Sequence, residues 1–216
     1  MVFSFLSSFS GAAPLQLLKN WAMEQDCVLC TAPTLMLVCP ACAASLEPAH
    51  GDSSVAVFAY TFPLDRLVQR FKFASDLAVG RWLAERLAER VAGLPRPDLL
   101  FAPPLAPRRL RARGFNQSLE IARIVGRRIG VPHAVRGLEK VRETLPQQGL
   151  GRRARRRNLR DAFRCSLDLR GRHVAIVDDV LTTGATAAAI AAELRRAGAV
   201  RVDVWTVAQA PGRGAR

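Results

Sequence analysis

The chain has 216 residues, half of them apolar, which is enough for one hydrophobic core of ordinary size with a small appendage. Its formal charge of +14 suits a polyanionic partner, yet only Lys19, Lys72 and Lys140 are lysines, so an arginine-rich coding bias explains the charge equally well. No apolar run of the roughly 18 residues needed to cross a bilayer occurs, which excludes a membrane-spanning helix and leaves a globular enzyme or binding protein.

The opening stretch, MVFSFLSSFSGAAPLQLLKN, lacks a positively charged start, and serines and Gly11 interrupt its apolar run. It reads as cytosolic, with a short helix over Leu15 to Met23 and a signal peptide as the alternative. The cysteines follow in CVLCTAPTLMLVCPAC, where Cys27 and Cys30 form one C-x-x-C pair and Cys39 and Cys42 a second, eight residues apart. Each pair can present two thiolates from a tight turn, and four thiolates close a tetrahedral zinc site with no open position. That site contributes folding stability rather than catalysis, and the alternative is four buried or redox cysteines. With zinc saturated, His50 is not needed as a ligand, and Cys165 stands alone as a small core residue. The chain therefore divides into a helix and zinc ribbon over residues 1–50 and a main domain over 51–216.

In the main domain strands alternate with helices. Ser53 to Tyr60 reads as a strand, and Leu64, Leu67, Val68 and Phe71 recur at helical spacing. Ser75-Asp76 caps a second helix carrying Leu83, Leu87 and Val91, which stops near Gly93 and Pro95. Asp98 to Ala102 is the next strand, and Ile121, Ile124, Val125 and Ile129 mark a helix ended by Gly130 and Pro132. The stretch from Val141 to Phe163 holds seven arginines and little periodicity, as a solvated charge run or a lid over an anion would. A strand over Val174 to Val177, a helix over Ala187 to Arg196 and a strand over Val200 to Ala208 complete an α/β fold with a largely parallel sheet flanked by helices.

The turn between the last strand–helix pair carries the chemistry. Asp178 and Asp179 end a buried strand, and Thr182, Thr183, Gly184, Ala185 and Thr186 lead into the helix. A helix start offers unpaired N–H groups and a positive dipole end, the threonines add hydroxyl donors, and Gly184 permits close approach, so the turn suits a phosphate monoester. Neither the Walker lysine nor the G-x-G-x-x-G spacing is present. Two carboxylates beside an anion site repel phosphate but accept hydrogen bonds from vicinal hydroxyls. A sugar with a phosphate at one end and a diol in its middle meets both conditions.

The thirteen residues VAIVDDVLTTGAT resemble the phosphoribosyl pyrophosphate (PRPP) motif of type I phosphoribosyltransferases. Together with RARGFNQ (Arg111 to Gln117), TLPQQGL, RRRNL and the four-cysteine segment, they resemble the ComF family, in which a zinc ribbon precedes a phosphoribosyltransferase domain. The resemblance implies that Asp178 and Asp179 hold the ribose 2- and 3-hydroxyls and that Leu181, Thr182, Thr183, Gly184, Ala185 and Thr186 cradle the 5-phosphate. It implies that Pro103 to Arg113 approaches the pyrophosphate, where many relatives read Pro-Val-Pro-Leu in place of Ala102-Pro103-Pro104-Leu105. The expected reaction is displacement at the ribose anomeric carbon with magnesium on the pyrophosphate, Arg108, Arg109 and Arg113 neutralising charge, and Arg156 or Arg157 joining from the lid. Asp178 or Asp179 is the candidate general base, and Asn116 and Gln117 either orient substrate or cap a helix. Three functions stay open: phosphoribosyl transfer to an unidentified acceptor, PRPP sensing without turnover, and a nucleic-acid-binding role linked by the resemblance to DNA uptake in natural transformation.

Overall fold

The computed structural model describes residues 24–49, 54–142, 159 and 161–211. The helix expected over residues 15–23, His50 and the arginine-rich segment with Arg156 and Arg157 lie outside the described residues. Among the described residues no helix is long and apolar enough to cross a membrane.

The four-cysteine segment forms a small antiparallel ribbon, β1 (Gln25–Asp26) with β2 (Pro33–Thr34), followed by a single-turn helix α1 (Pro40–Ala44). Proline at its first position and Cys39 as N-cap start this helix, which sequence periodicity is too short to reveal. Val38 and Leu46 pack into the main core, and the exit segment lies antiparallel to β3 (Val55–Ala59). There the Ala49 N–H donates to Val57 O at 3.1 Å and the Ala59 N–H to Glu47 O at 2.8 Å.

After β3 come α2 (Leu64–Phe73) and α3 (Leu77–Val91), then β4 (Leu99–Phe101), α4 (Pro107–Arg113) and α5 (Gln117–Ile129). Short strands β5 (His133–Ala134), β6 (Leu138–Lys140) and β7 (Phe163–Cys165) follow, and β8 (His173–Leu181), α6 (Ala185–Arg196) and β9 (Arg201–Gln209) close the fold. Asp76 alone caps α3, its carboxylate accepting the Val79 N–H at 3.1 Å. Gly130 ends α5 in the left-handed conformation that the sequence anticipates. The helix α4 escapes a periodicity reading because it has no buried residue.

Five strands form one sheet in the order β3-β9-β8-β4-β5, with every pairing parallel, while β6 and β7 make a separate antiparallel pair. Side chains alternate across a strand, and β8 feeds two cores by that rule. Ala175 and Val177 join Leu100, Trp205 and the apolar stripes of α2, α3 and α5, whereas Val174 and Ile176 join Phe101, Phe163 and the inner face of α6. All four β8 residues are fully buried, as expected for a strand covered on both faces. The strand does not stop at Val177, however. Its ladder with β9 continues through Leu181 and Gln209, so the two acids are the sixth and seventh residues of a nine-residue strand rather than part of the turn.

The helices α2 and α3 meet closely where Gly80 faces Phe71. A Cβ on Gly80 would lie 2.3 Å from the buried Phe71 ring, so glycine at this position lets α2 lie close against α3.

Candidate functional site

Connection direction reverses between β4 and β8. From β4 the chain passes through α4 and α5, with α5 packing on one face of the sheet, to β5 on one side; from β8 it passes through α6 on the other face to β9 on the opposite side. The carboxyl ends of β4 and β8 therefore open a crevice between loops that part to opposite faces, the usual ligand position in an open α/β sheet. Residues 102–106 and 182–184 are the loops that leave those two strand ends.

Asp178 and Asp179 lie near the carboxyl end of β8 and receive four donors. Asp178 Oδ1 accepts the Ser118 hydroxyl from α5 at 2.7 Å and the Asp179 N–H at 2.9 Å. Asp179 Oδ1 accepts the Val180 N–H at 2.6 Å, and Asp179 Oδ2 pairs with Lys72 Nζ, on α2, at 2.9 Å. Burial first, and the Asp179 charge second, push the Asp178 carboxyl from 3.8 up to about 7, against the opposing pull of the Ser118 hydroxyl, the Asp179 amide and the Lys72 charge.

The turn above is built for close approach. Gly184 is the N-cap of α6 with φ +69°, and a Cβ there would find open space, its nearest neighbour being Leu181 at 3.9 Å. The glycine is required by its backbone angle, and it leaves the start of α6 uncovered. Thr182 is exposed, Thr183 and Thr186 are half-buried, and Ala185 is buried. Thr183 Oγ1 accepts the Ala185 N–H at a long 3.5 Å. Leu181 belongs to β8 and not to the turn.

Of the arginines proposed from the sequence, Arg113 is the one held by side-chain contacts of its own. Its guanidinium donates to Gln117 Oε1 at 3.2 Å and lies 5.4 Å from the ring centre of Phe73, the residue after Lys72. Arg108 and Arg109 are exposed on α4, and no hydrogen bond or ion pair ties either to the acidic pair among the described residues. Asn116 resolves to a cap that is also a tether: Oδ1 accepts the N–H groups of Ser118 and Leu119, while Nδ2 donates to Pro103 O at 3.0 Å, holding the loop after β4. Gln117 is buried, and its Nε2 has no partner among the described residues. Sequence reasoning missed Lys72 and Ser118. The only mark on Lys72 was its rarity, one of three lysines among 32 basic residues.

The four cysteines lie apart from this crevice in sequence and together in space. Their Sγ atoms all fall within 4.8 Å of one another, and Cys30 and Cys39 are 3.7 Å apart, against about 3.8 Å between thiolates around a tetrahedral ion with 2.3 Å bonds. Backbone groups are already aimed at the sulfurs, the Cys39 N–H donating to Cys27 Sγ at 3.3 Å and the Cys42 N–H to Cys39 Sγ at 3.5 Å. Burial pushes the Cys27 thiol up, but the amides of Cys39, Cys30 and Leu29 outweigh it and bring it down to about 6. Cys42 is pushed up to about 12, first by its hydrogen bond with Cys30 and then by burial. A divalent cation supplies the charge that lets all four ionise, so the cluster fits a metal.

No protein-family model matches the chain. Among curated proteins it is 41% identical over 165 residues to a protein of Salmonella typhi named DNA utilization protein YhgH, covering 74% of this chain and 73% of that one. It is 34% identical over 168 residues to Competence protein F of Haemophilus influenzae, with the same two shares, and 26% identical over 184 residues to Competence protein ComFC of Streptococcus pneumoniae, covering 85% and 80%. The chain belongs to the ComF/YhgH family. Solved structures resembling this ComF chain include an adenine phosphoribosyltransferase of Thermoanaerobacter pseudethanolicus, 18% identical at a TM-score of 0.41 over 63% of the chain and 84% of that protein. A purine phosphoribosyltransferase of Pyrococcus horikoshii is 23% identical at a TM-score of 0.36 over 76% and 84%. Likeness at that level is loose, and the family assignment rests on the sequence relatives.

The raised Asp178 carboxyl has a measurable consequence for stability. Because the folded ComF chain binds this proton more tightly than the unfolded chain, the group opposes folding increasingly as pH rises from about 4 through about 7. Asp178→Asn keeps an acceptor for Ser118 and removes the charge. The variant is expected to be more stable than the parent at pH 8, on the order of 2 kcal/mol, with the advantage vanishing near pH 4 in urea-unfolding curves.

Proposed function

We propose that this ComF chain binds PRPP in the crevice between β4 and β8 and transfers, or senses, its phosphoribosyl group. The observation that carries the reading is the pairing of two acceptor carboxylates at the end of β8 with an open, glycine-started helix one turn further on. Asp178 and Asp179 accept the ribose 2- and 3-hydroxyls. Thr182, Thr183, Thr186 and the backbone from Leu181 to Ala185 receive the 5-phosphate at the start of α6, where N–H groups lack helical partners. Arg113, set by Gln117 and Phe73, and Arg108 and Arg109 on the same helix face the pyrophosphate, with Arg156 and Arg157 assigned by the family resemblance alone.

Displacement at the anomeric carbon breaks the bond to pyrophosphate and forms one to an acceptor nucleophile, so the demand on the protein is orientation and charge stabilisation. Magnesium bound with PRPP supplies charge neutralisation on the pyrophosphate oxygens. The chain's own groups fix the ribose through the diol, fix the phosphate at the helix start and give the departing anion a cationic wall. Asp178, closer to neutrality than an ordinary carboxyl, is the better placed of the two acids to take a proton from the acceptor. Titration calorimetry of PRPP with magnesium tests the reading. Replacing both acids by Asn is expected to weaken binding by about 1.5–3 kcal/mol for each charge-assisted bond removed. Unchanged affinity in a folded double variant refutes the diol assignment.

The cysteine cluster is proposed as a structural zinc site within an N-terminal unit ending near residue 50. Elemental analysis is expected to give one zinc per chain, and Cys27→Ser is expected to lower the stability of the ribbon before that of the α/β core. Metal-free folded protein with four titratable thiols refutes it.

A second reading, DNA binding, is favoured by exposed Arg108, Arg109 and Arg111 on α4, which have no ion-pair partner among the described residues, and by the DNA-utilization and competence names of the relatives. Replacing the three is expected to reduce the slope of log affinity for duplex DNA against log salt by about 0.9 for each phosphate that an arginine no longer neutralises. An unaltered slope places DNA elsewhere or nowhere on the chain.

A further inference from the structure

Three of the four oxygens of the acidic pair already receive donors, and only Asp178 Oδ2 has no partner among the described residues. The cation among those donors is Lys72, whose side chain and that of Asp179 are 18% and 13% exposed. Among the described residues, the charged groups in contact with the pair are Lys72, from α2, and the two carboxylates themselves. From α5 comes the Ser118 hydroxyl, and β9 sets Thr206 in register with Asp178, neither of them ionised. Two adjacent carboxylates withdrawn from water thus share a single positive charge.

We infer that Lys72 is a positioning residue of this site: its ion pair with Asp179 keeps both acids available as acceptors for a vicinal diol at neutral pH. The inference rests on the phosphoribosyl reading of the crevice. Without the ammonium, two like charges face each other in a poorly solvated pocket, and the favourable response is uptake of a proton. A protonated carboxyl offers a donor where the diol needs an acceptor, and its hydrogen bonds lose their charge assistance. Asp178 stands near the threshold already, and the Lys72 charge is among the forces holding it down. Lysine also suits the position in a chain that otherwise uses arginine. Its compact ammonium takes only Oδ2 of Asp179, whereas a guanidinium fork tends to bind both oxygens of a carboxylate at once. The close approach of Gly80 and Phe71 fixes the helix that delivers it.

The test uses the full chain and two ligands, ribose 5-phosphate and 2-deoxyribose 5-phosphate, titrated with magnesium from about pH 6 to about pH 9. The phosphate titrates alike in both, so the ratio of their affinities isolates the diol. The parent protein is expected to prefer ribose 5-phosphate at neutral pH. Lys72→Met, checked for an unchanged circular dichroism spectrum, is expected to lose on the order of tenfold of that preference near pH 7 and to regain it near pH 9, as one further unit of carboxyl titration requires. A Lys72→Met variant with the parent's preference at every pH overturns the inference. So does a preference lost equally at pH 7 and pH 9, which a purely structural role gives. A parent protein that binds neither ligand, or does not distinguish them, instead removes the phosphoribosyl reading and this inference with it.

Discussion

Two carboxylates at the end of a strand buried on both faces repel each other and lose water, and most of the architecture around β8 answers that conflict. The strand cannot turn away, because its ladder with β9 runs on through Leu181. Helix α5 therefore supplies the Ser118 hydroxyl, helix α2 the Lys72 ammonium, and the strand its own amide groups at Asp179 and Val180. Each side-chain donor comes from a helix on the same face of the sheet, the one lined by the larger core. The opposite face, under α6, is left to shape the turn and the helix start.

The division of labour follows from the connection reversal. The segment after β4 swings to one face and carries Arg113, Asn116, Gln117 and Ser118 within six residues, so the tether to Pro103, the brace on Arg113 and the donor to Asp178 arise around a single helix start. The segment after β8 swings to the other face and brings Gly184. Neither segment alone makes a site.

Much of this was legible in the sequence, for physical reasons that differ by element. Leu64, Leu67, Val68 and Phe71 repeat at helical spacing and are all buried, because a helix against a core must show such a stripe. The doubled C-x-x-C predicted a cluster that geometry supplies. Helix α4 was not legible, since it buries nothing, and β5 to β7 are too short to carry a period. The end of β8 was misjudged because two acids look like a stop signal, although the ladder with β9 and the donors of Ser118 and Lys72 allow the strand to continue. Lys72 itself sits 106 residues before Asp178 in a helix whose pattern speaks only of packing, and nothing in local sequence joins the two.

The segment from Glu47 to Ala49 lies along β3, which is the outer strand of the sheet on that side, while β5 on the other side has only two residues. An outer strand with unpaired amides is a template on which a second molecule can add. The segment that leaves the cysteine ribbon thus also covers part of the outer edge of the sheet. Loosening of the cysteine cluster would free that edge for pairing with a second molecule.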